Sequence, residues 1–242
     1  MIILPAIDIK DGNCVRLFRG DYATAHKVAE DPVETACAFQ AAGAQWVHMV
    51  DLDGAKDARP QNRGIFLRCA KESGARIEVG GGIRTMQAVQ DYLENGISRV
   101  ILGSAALNQP DFVQEAAKTY GAQIAVGIDA REGMVAAEGW LSTSSVNYID
   151  LAKQMEQMGV ATLIFTDIAK DGMLQGPNLE QLAALQSAVS CNVIASGGVS
   201  TIADIRALRE IWLFLDMWGK DIYTGCLNLQ EAIREGQLQS ER

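Results

Sequence analysis

Histidine, paired cysteines and basic residues are all scarce in this sequence. Of the 242 residues only two are histidines, and the five cysteines are scattered without a Cys-x-x-Cys pair. This spacing indicates neither a zinc ribbon nor a disulfide framework, and it favours reduced thiols in a cytosolic protein. Lys and Arg number 21 against 30 Asp and Glu, giving a formal charge of −9. This argues against a nucleic-acid surface, because neutralising phosphates requires clustered basic residues.

Long apolar runs are absent as well. No stretch approaches the ~20 residues that a membrane span requires. The amino terminus has no basic segment before its apolar residues and reaches Asp8 early, unlike a signal peptide. We therefore expect a cytoplasmic protein with no membrane partner, and the apolar content of 48% indicates a sizeable core.

Short apolar segments alternate with helix-like segments along the chain. Strands are predicted at residues 2–7, 46–50, 76–79, 99–102, 123–128, 162–165, 192–195 and 213–218, and helices at 32–42, 86–95, 110–120, 149–158, 179–188 and 202–209. Helix starts are marked at Asp31, Thr85, Gln109 and Asn178. Continuous apolar strands indicate a parallel sheet buried on both faces. Eight such units predict an α/β fold, a single (β/α)8 barrel over residues 1–242.

The two halves of the sequence resemble each other. The matching positions are Asp8 with Asp129, 121 residues apart, and Asp51 with Asp167, Gly81 with Gly197 and Gly103 with Gly219, each 116 residues apart. A constant spacing over several landmarks indicates an internal duplication. We expect half-barrels at about 1–121 and 122–242.

Gly-rich strand ends in both halves predict anion binding. Each cluster precedes a helix with Ser or Thr near its start, so that backbone N–H groups are exposed to a ligand. A tight strand-to-helix turn is the alternative for any single cluster. Two matching clusters favour two phosphate sites across one barrel mouth, and hence a ligand with a phosphate at each end. The candidates are Gly81, Gly82, Gly103, Ser104, Ser196, Gly197, Gly198, Gly219 and Lys220.

Asp8 and Asp129 are the candidate catalytic residues. Two carboxylates on opposite sides of a substrate can act as acid and base if their environments separate their pKa values. A loop hydrogen bond or a metal ion is the alternative partner for each. With two histidines and no clustered carboxylate spacing, the sequence supports no dedicated metal site.

Other polar residues near the expected mouth have two interpretations each. Arg16 and Arg84 either reach a phosphate or form surface pairs. Trp140 either stacks on a heteroaromatic ring or fills the core beneath its loop. His48 either contacts a ligand or is a hydrogen-bonded core residue, and Asp51 lies nearby on the same strand.

Taken together, these motifs resemble one family over nearly the whole chain: the phosphoribosylformimino-aminoimidazole carboxamide ribotide isomerases of histidine biosynthesis. The motifs that carry the resemblance are Pro5-Ala6-Ile7-Asp8, Asp11-Gly12, Val15-Arg16-Leu17, His48-x-Val50-Asp51-Leu52-Asp53-Gly54-Ala55, Val79-Gly80-Gly81-Gly82-Ile83-Arg84, Gly127-Ile128-Asp129, Gly139-Trp140, Thr166-Asp167-Ile168, Lys170-Asp171-Gly172 and Ser196-Gly197-Gly198.

The resemblance implies a barrel with no metal or organic cofactor, acting as a monomer on a small molecule. The implied reaction is an Amadori rearrangement of an aminoaldose with two phosphates to an aminoketose. By this resemblance Asp129 is the acid that opens the ribose ring, and Asp8 is the base that takes the C2 proton. Thr166 and Asp171 support proton transfer, and Gly172 is placed in the binding set.

Three other functions stay open. The cyclase subunit of imidazole glycerol phosphate synthase shares the duplicated architecture, although its opening usually reads Pro-Cys-Leu-Asp where this chain has Pro-Ala-Ile-Asp. A dual isomerase would also act on phosphoribosylanthranilate, and Arg131 keeps that alternative open. A barrel that binds phosphorylated ligands without turnover is the third.

One segment, residues 211–221, departs from the family pattern. Trp212 and Leu215 stand where the family has glycines, and Asp216 and Asp221 where it has alanines. An unpaired Asp facing the barrel interior would cost several kcal/mol, to order of magnitude. We therefore expect the last βα unit to be displaced or poorly ordered.

Overall fold

Strands and helices alternate along the chain. The computed structural model describes residues 1–18, 20–137, 140, 142–173, 175–211, 215–218, 223 and 228–238. The strands are β1 (Ile2–Lys10), β2 (Asn13–Phe18), β3 (Asp21–Ala29), β4 (Trp46–Asp51), β5 (Arg76–Gly80), β6 (Arg99–Leu102), β7 (Ile124–Arg131), β8 (Met134–Ala137), β9 (Ser142–Asn147), β10 (Thr162–Asp167), β11 (Asn192–Ser196) and β12 (Leu215–Trp218). The helices are α1 (Pro32–Ala41), α2 (Leu52–Asp57), α3 (Arg63–Glu72), α4 (Met86–Glu94), α5 (Ala105–Asn108), α6 (Pro110–Tyr120), α7 (Tyr148–Gln157), α8 (Leu179–Ala188), α9 (Ile202–Glu210) and α10 (Leu229–Gln237). Within those described ranges, no helix is both long and apolar enough to cross a membrane.

Eight parallel strands close into a barrel. They pair in the order β1, β4, β5, β6, β7, β10, β11 and β12, and β12 pairs again with β1. The predicted (β/α)8 barrel is confirmed. For its first seven strands, the predicted and observed starts agree to within one residue.

Capping side chains explain where several helices begin. Asp31, Thr85 and Asn178 accept backbone hydrogen bonds at the starts of α1, α4 and α8, as predicted. Gln109 makes no such bond, and α6 begins with Pro110 at its first position. The sequence pattern does not predict α3, which has no capping side chain.

Two antiparallel extensions rise from the barrel, and neither was predicted from the sequence. After β1, the strand β2 pairs with β1 and β3 pairs with β2. After β7, the strand β8 pairs with β7 and β9 pairs with β8 in the same way. Each extension follows a strand that carries one of the two candidate catalytic aspartates. The two extensions therefore lie beside Asp8 and Asp129.

Apolar residues fill the barrel interior below that rim. Leu4, Ile101, Ala125, Ile164 and Ile194 form one buried cluster there. A second, larger cluster packs the outer face of the sheet against the helices. Burying each large apolar side chain contributes about 1.5–3 kcal/mol. These two layers hold the strand ends, and the residues on them, in fixed positions.

The strand β12 lies between β11 and β1, where an eighth barrel strand belongs. Ile2 aligns with Leu215 and Pro5 with Trp218 on one side, and Ile194 aligns with Leu215 on the other. The predicted displacement of the last unit is therefore wrong. A parallel ladder is made by backbone groups and does not require particular side chains. The predicted residues outside the described ranges are Trp212, Gly219, Lys220 and Asp221.

Candidate active site

One cavity of about 270 Å³ opens at the carboxyl ends of the barrel strands. Its floor includes Ile101 and Ile164 from the buried interior cluster. Every predicted site residue within the described ranges lines it. These are Asp8, Arg16, His48, Gly81, Gly82, Arg84, Gly103, Ser104, Asp129, Trp140, Thr166, Asp171, Gly172, Ser196, Gly197 and Gly198. The two other predicted residues, Gly219 and Lys220, lie outside the described ranges.

Asp8 and Asp129 face the cavity from opposite sides. Asp8 lies on β1 and Asp129 on β7, and four steps around the eight-stranded barrel separate these strands in either direction. A ligand in the cavity would therefore lie between the two carboxyl groups. This arrangement allows one group to donate a proton on one side while the other accepts a proton on the opposite side.

Asp8 is held in an ion pair at the rim. Arg16 on β2 donates from Nη1 to Asp8 Oδ2 at 2.8 Å, and the two side chains are 11% and 17% exposed, respectively. The antiparallel pairing of β2 with β1 aligns Val15 with Asp8 and so places Arg16 nearby. Asp8 is therefore a hydrogen-bond acceptor paired with a guanidinium at the cavity wall.

Asp129 has a different environment. Burial raises the pKa of its carboxyl above the ordinary value. Hydrogen bonds from Trp140 and Thr166 lower that pKa in part, and Trp140 Nε1 lies 2.8 Å from Asp129 Oδ2. Since burial outweighs these contacts, Asp129 keeps its proton to higher pH than a solvated Asp.

Glycine turns flank the cavity in both halves. Gly81 and Gly82 follow β5 with φ of 111° and 75°, and Gly197 and Gly198 follow β11 with φ of 86° and 87°. These are left-handed conformations that glycine adopts readily. After the first turn, Thr85 caps α4. Successive N–H groups in such a turn form an anion-binding concavity.

The chain matches the model of a family described as "Histidine biosynthesis protein" over residues 2–225. The chain belongs to this histidine biosynthesis family. A protein from Listeria innocua named 1-(5-phosphoribosyl)-5-((5-phosphoribosylamino)methylideneamino) imidazole-4-carboxamide isomerase is 52% identical over 237 residues, which are 98% of this chain and 99% of that protein. A Clostridium botulinum protein of the same name is 50% identical over 234 residues, which are 97% of this chain and 97% of that protein. A second one is 49% identical over 242 residues, which are 100% of both chains. The resemblance seen in the motifs is thereby confirmed.

Asp51 of this histidine biosynthesis protein shapes a loop and does not line the cavity. Its fully buried carboxylate accepts hydrogen bonds from the backbone N–H groups of Gly54, Gln61 and Asn62, and from the Asn62 side chain at 2.8 Å. The equivalent pair 116 residues later is Asp167 with Asn178, at 2.7 Å. These aspartates fix the loops on which the glycine turns rest.

Trp140 connects the two extensions of the rim. Its backbone has a φ of 72°, which costs a bulky residue about 1–3 kcal/mol. Its indole lies against the backbone of Gly20, in the turn between β2 and β3, so closely that any side chain at Gly20 would collide with it. Trp140 thus lies at the cavity wall, with its N–H directed at Asp129 and its ring against the opposite half.

The cavity also contains residues that the sequence analysis did not single out, among them Gly20 and Tyr22. Tyr22 donates its hydroxyl hydrogen to the backbone oxygen of Leu52 at 3.0 Å. Both residues belong to the β2–β3 extension. The Gly20-Asp21 dipeptide between two segments of strand-forming residues is the signal that could have predicted that hairpin.

Proposed function

We propose that this chain is an aldose–ketose isomerase of histidine biosynthesis. It converts a bisphosphorylated aminoaldose, the substrate in the names of its relatives, to the corresponding aminoketose. The observation that carries the proposal is the pair of carboxyl groups, Asp8 and Asp129, on opposite sides of one cavity. Identity near 50% over the full chain supports the same conclusion.

Asp129 acts first, as the general acid. Burial keeps its carboxyl protonated to higher pH, and it donates that proton to the ribose ring oxygen. The bond between C1 and the ring oxygen breaks, and the nitrogen lone pair forms the C1=N bond of a protonated Schiff base. Trp140 and Thr166 then donate hydrogen bonds to the carboxylate that forms.

Asp8 acts second, as the general base. It takes the proton from C2, and the electron pair of that C–H bond forms C1=C2 while the nitrogen becomes neutral. The cycle closes when the protonated Asp8 gives its proton to C1 and the C2 hydroxyl gives its proton to the Asp129 carboxylate, which yields the ketone. Proton balance is then restored without an external acid. Asp171 would support this transfer from the same cavity wall.

The two glycine turns hold the two phosphates in this proposal. Their backbone N–H groups supply donors without adding fixed positive charge, which suits an acidic protein. Arg84 is near the first turn, and its Nη2 lies 3.4 Å from Ser104 Oγ. Arg84, Ser104 and Gly103 would extend the phosphate site in the first half of the barrel.

No observation favours the dual isomerase. Arg131, the residue that keeps this alternative open in the sequence, is exposed at the end of β7 and does not line the cavity. We further propose that the chain works as a monomer in the cytoplasm, since its substrate is a small phosphorylated molecule. Nucleic acid and membrane are not partners in this proposal.

A substrate panel tests the function. The purified chain is offered the bisphosphorylated aminoaldose, phosphoribosylanthranilate, and the aminoketose with ammonia, and products are separated by chromatography. We expect conversion of the aminoaldose alone. Comparable turnover of phosphoribosylanthranilate would establish a dual isomerase, and consumption of the ketose with ammonia a cyclase. A folded chain that binds the aminoaldose without converting it would be a binding protein.

A further inference from the structure

Three charged or polar side chains are buried inside the barrel beneath the cavity. His48, Glu78 and Arg99 occupy aligned positions on the neighbouring strands β4, β5 and β6. They are 6%, 0% and 5% exposed. The proton transfers described above use none of them, yet burying such groups is costly unless each is paired. We call these three residues the buried triad.

Glu78 is the centre of the triad, and both of its oxygens are engaged. Oε1 lies 2.6 Å from His48 Nδ1, and Oε2 accepts from Arg99 Nε at 2.7 Å and also from Arg99 Nη2. Burial alone would raise the pKa of Glu78, but the contacts with His48 and Arg99 together hold it below the ordinary value. Glu78 is therefore ionised at neutral pH.

The ionised carboxylate fixes the protonation of the His48 ring. A carboxylate only accepts hydrogen bonds, so Nδ1 must carry a hydrogen. The charge of Glu78 is already balanced by Arg99, so the ring needs no charge of its own. A neutral ring with its hydrogen on Nδ1 has a lone pair on Nε2. Among the described residues no group is hydrogen-bonded to Nε2, and His48 lines the cavity.

Arg99 anchors the triad from below. Its guanidinium carbon lies 4.5 Å from the centre of the Trp46 ring, within the range of a cation–π contact. Arg76 lies over the same ring at 4.8 Å. With Trp46 beneath it and Glu78 beside it, Arg99 has little freedom to move. The triad is therefore a rigid support that ends at the cavity in His48.

The other half of the barrel has no counterpart of the triad. The positions 116 residues after its members are occupied by Ile164, Ile194 and Leu215. Ile164 aligns with Ile194 and Ile194 with Leu215, in the same register as the triad. At these aligned positions the first half of the barrel has the charged and polar triad, and the second half has apolar residues.

We propose that Glu78, held by Arg99, is a positioning residue that keeps the hydrogen of His48 on Nδ1, so that Nε2 accepts a hydrogen bond from a hydroxyl or N–H group of the substrate. This inference rests on the proposed function. A substrate with a phosphate at each end can enter a cavity with two similar glycine turns in two orientations. An acceptor present in only one half selects one of them, and with it the carboxyl group that meets each reacting atom.

The test is a double variant, Glu78→Ile with Arg99→Leu, which copies the residues at positions 194 and 215 of the same chain. Replacing a buried ion pair by apolar residues of suitable size is often neutral for stability. We expect the variant to fold, and we expect kcat/KM to fall about 100-fold, as misplacement near a reacting centre does. The matched control is Glu78→Gln with Arg99→Leu, because the Gln oxygen can still accept from Nδ1. It should recover most of the activity.

Ring protonation is measured directly by nitrogen NMR of labelled histidine. The sequence has only two histidines, and a His26→Gln variant assigns the signals because His26 is exposed in the β2–β3 extension. We expect a hydrogen on Nδ1 of His48 in the wild type and the Gln control. In the Ile/Leu variant it should move to Nε2 or exchange between the two nitrogens.

Two results would overturn the inference. One is a wild-type His48 that carries its hydrogen on Nε2. This result would overturn the inference even if the double variant does not fold. The other is a folded double variant with wild-type kcat/KM. The NMR measurement needs no turnover. An inactive wild type with the hydrogen on Nδ1 would therefore overturn the proposed function and leave the positioning of His48 supported.

Discussion

Replacing Gly198 by Ala should destabilise the barrel, although it adds only one methyl group. Gly198 has a φ of 87°, and a Cβ built there would lie 2.5 Å from the backbone oxygen of Gly176. That oxygen belongs to a loop fixed by Asp167, so it cannot yield without disturbing the loop. Both the backbone conformation and the collision therefore oppose the added methyl group.

The expected loss follows from these two effects. A left-handed residue other than glycine costs about 1–3 kcal/mol, and inserting a methyl group into a packed site costs about 1–3 kcal/mol more. The free energy of unfolding should therefore fall by about 2–6 kcal/mol. At roughly 2–4 °C per kcal/mol for a chain of this size, Tm should fall by about 4–24 °C.

Thermal unfolding followed by circular dichroism measures this loss, and the chain offers a matched control. Gly103 lines the same cavity, but a Cβ there meets no atom within 4 Å. Gly103→Ala should keep the free energy of unfolding within about 0.5 kcal/mol of the wild type. It should lower kcat/KM, because its methyl group occupies space next to the proposed phosphate site. If Gly198→Ala melts with the wild type, or if both variants melt equally low, the reasoning from the glycine turns is wrong.

Three further predictions concern buried polar groups. The hydroxyl of Tyr92 is buried and has no hydrogen-bond partner among the described residues, so Tyr92→Phe should raise the free energy of unfolding in urea by about 1 kcal/mol; a loss would mean that the hydroxyl has a partner. Burial raises the pKa of Asp129 in the folded state above its pKa in the unfolded state. The contribution of this carboxyl group to stability is therefore complete below the unfolded pKa and is lost as pH rises through the folded pKa. Asp129→Asn should therefore melt above the wild type at pH 7, by a margin that shrinks towards pH 4, and an equal Tm at pH 7 would contradict this. Trp140→Phe removes a hydrogen bond that lowers the pKa of Asp129, so the alkaline fall of kcat should move to higher pH; an unmoved profile would show that the bond does not tune the acid.

The repeating units of this fold were predictable from the sequence because they are local. Each barrel strand is a short apolar segment, and β4, β5 and β6 begin 116 residues before β10, β11 and β12. The extensions of the rim were not predictable in this way. The strands β2 and β8 are defined by pairing with barrel strands, and α3 has no capping side chain. Their positions depend on contacts that periodicity does not encode.

The placement of the site residues was predictable for the same reason, whereas their partners were not. Strand ends meet at one edge of a barrel, so Asp8 and Asp129 could be placed there from sequence position alone. Asp51 binds its own loop, whereas Asp8 lines the cavity. This difference depends on the path of the loop that follows each strand. Glu78 gave one neglected signal: it is a charged residue in an apolar strand, and its counterpart in the other half is Ile194.

The most direct test of the central claim is the steady-state turnover of the bisphosphorylated aminoaldose by Asp8→Asn and Asp129→Asn, with substrate binding measured in parallel by calorimetry. Both substitutions keep the shape of the side chain and remove its ability to transfer a proton. The account predicts that each lowers kcat by at least about 100-fold, the smaller contribution typical of general acid–base catalysis, while the substrate still binds. Turnover at the wild-type rate by either variant would contradict the division of acid and base between these two carboxyl groups.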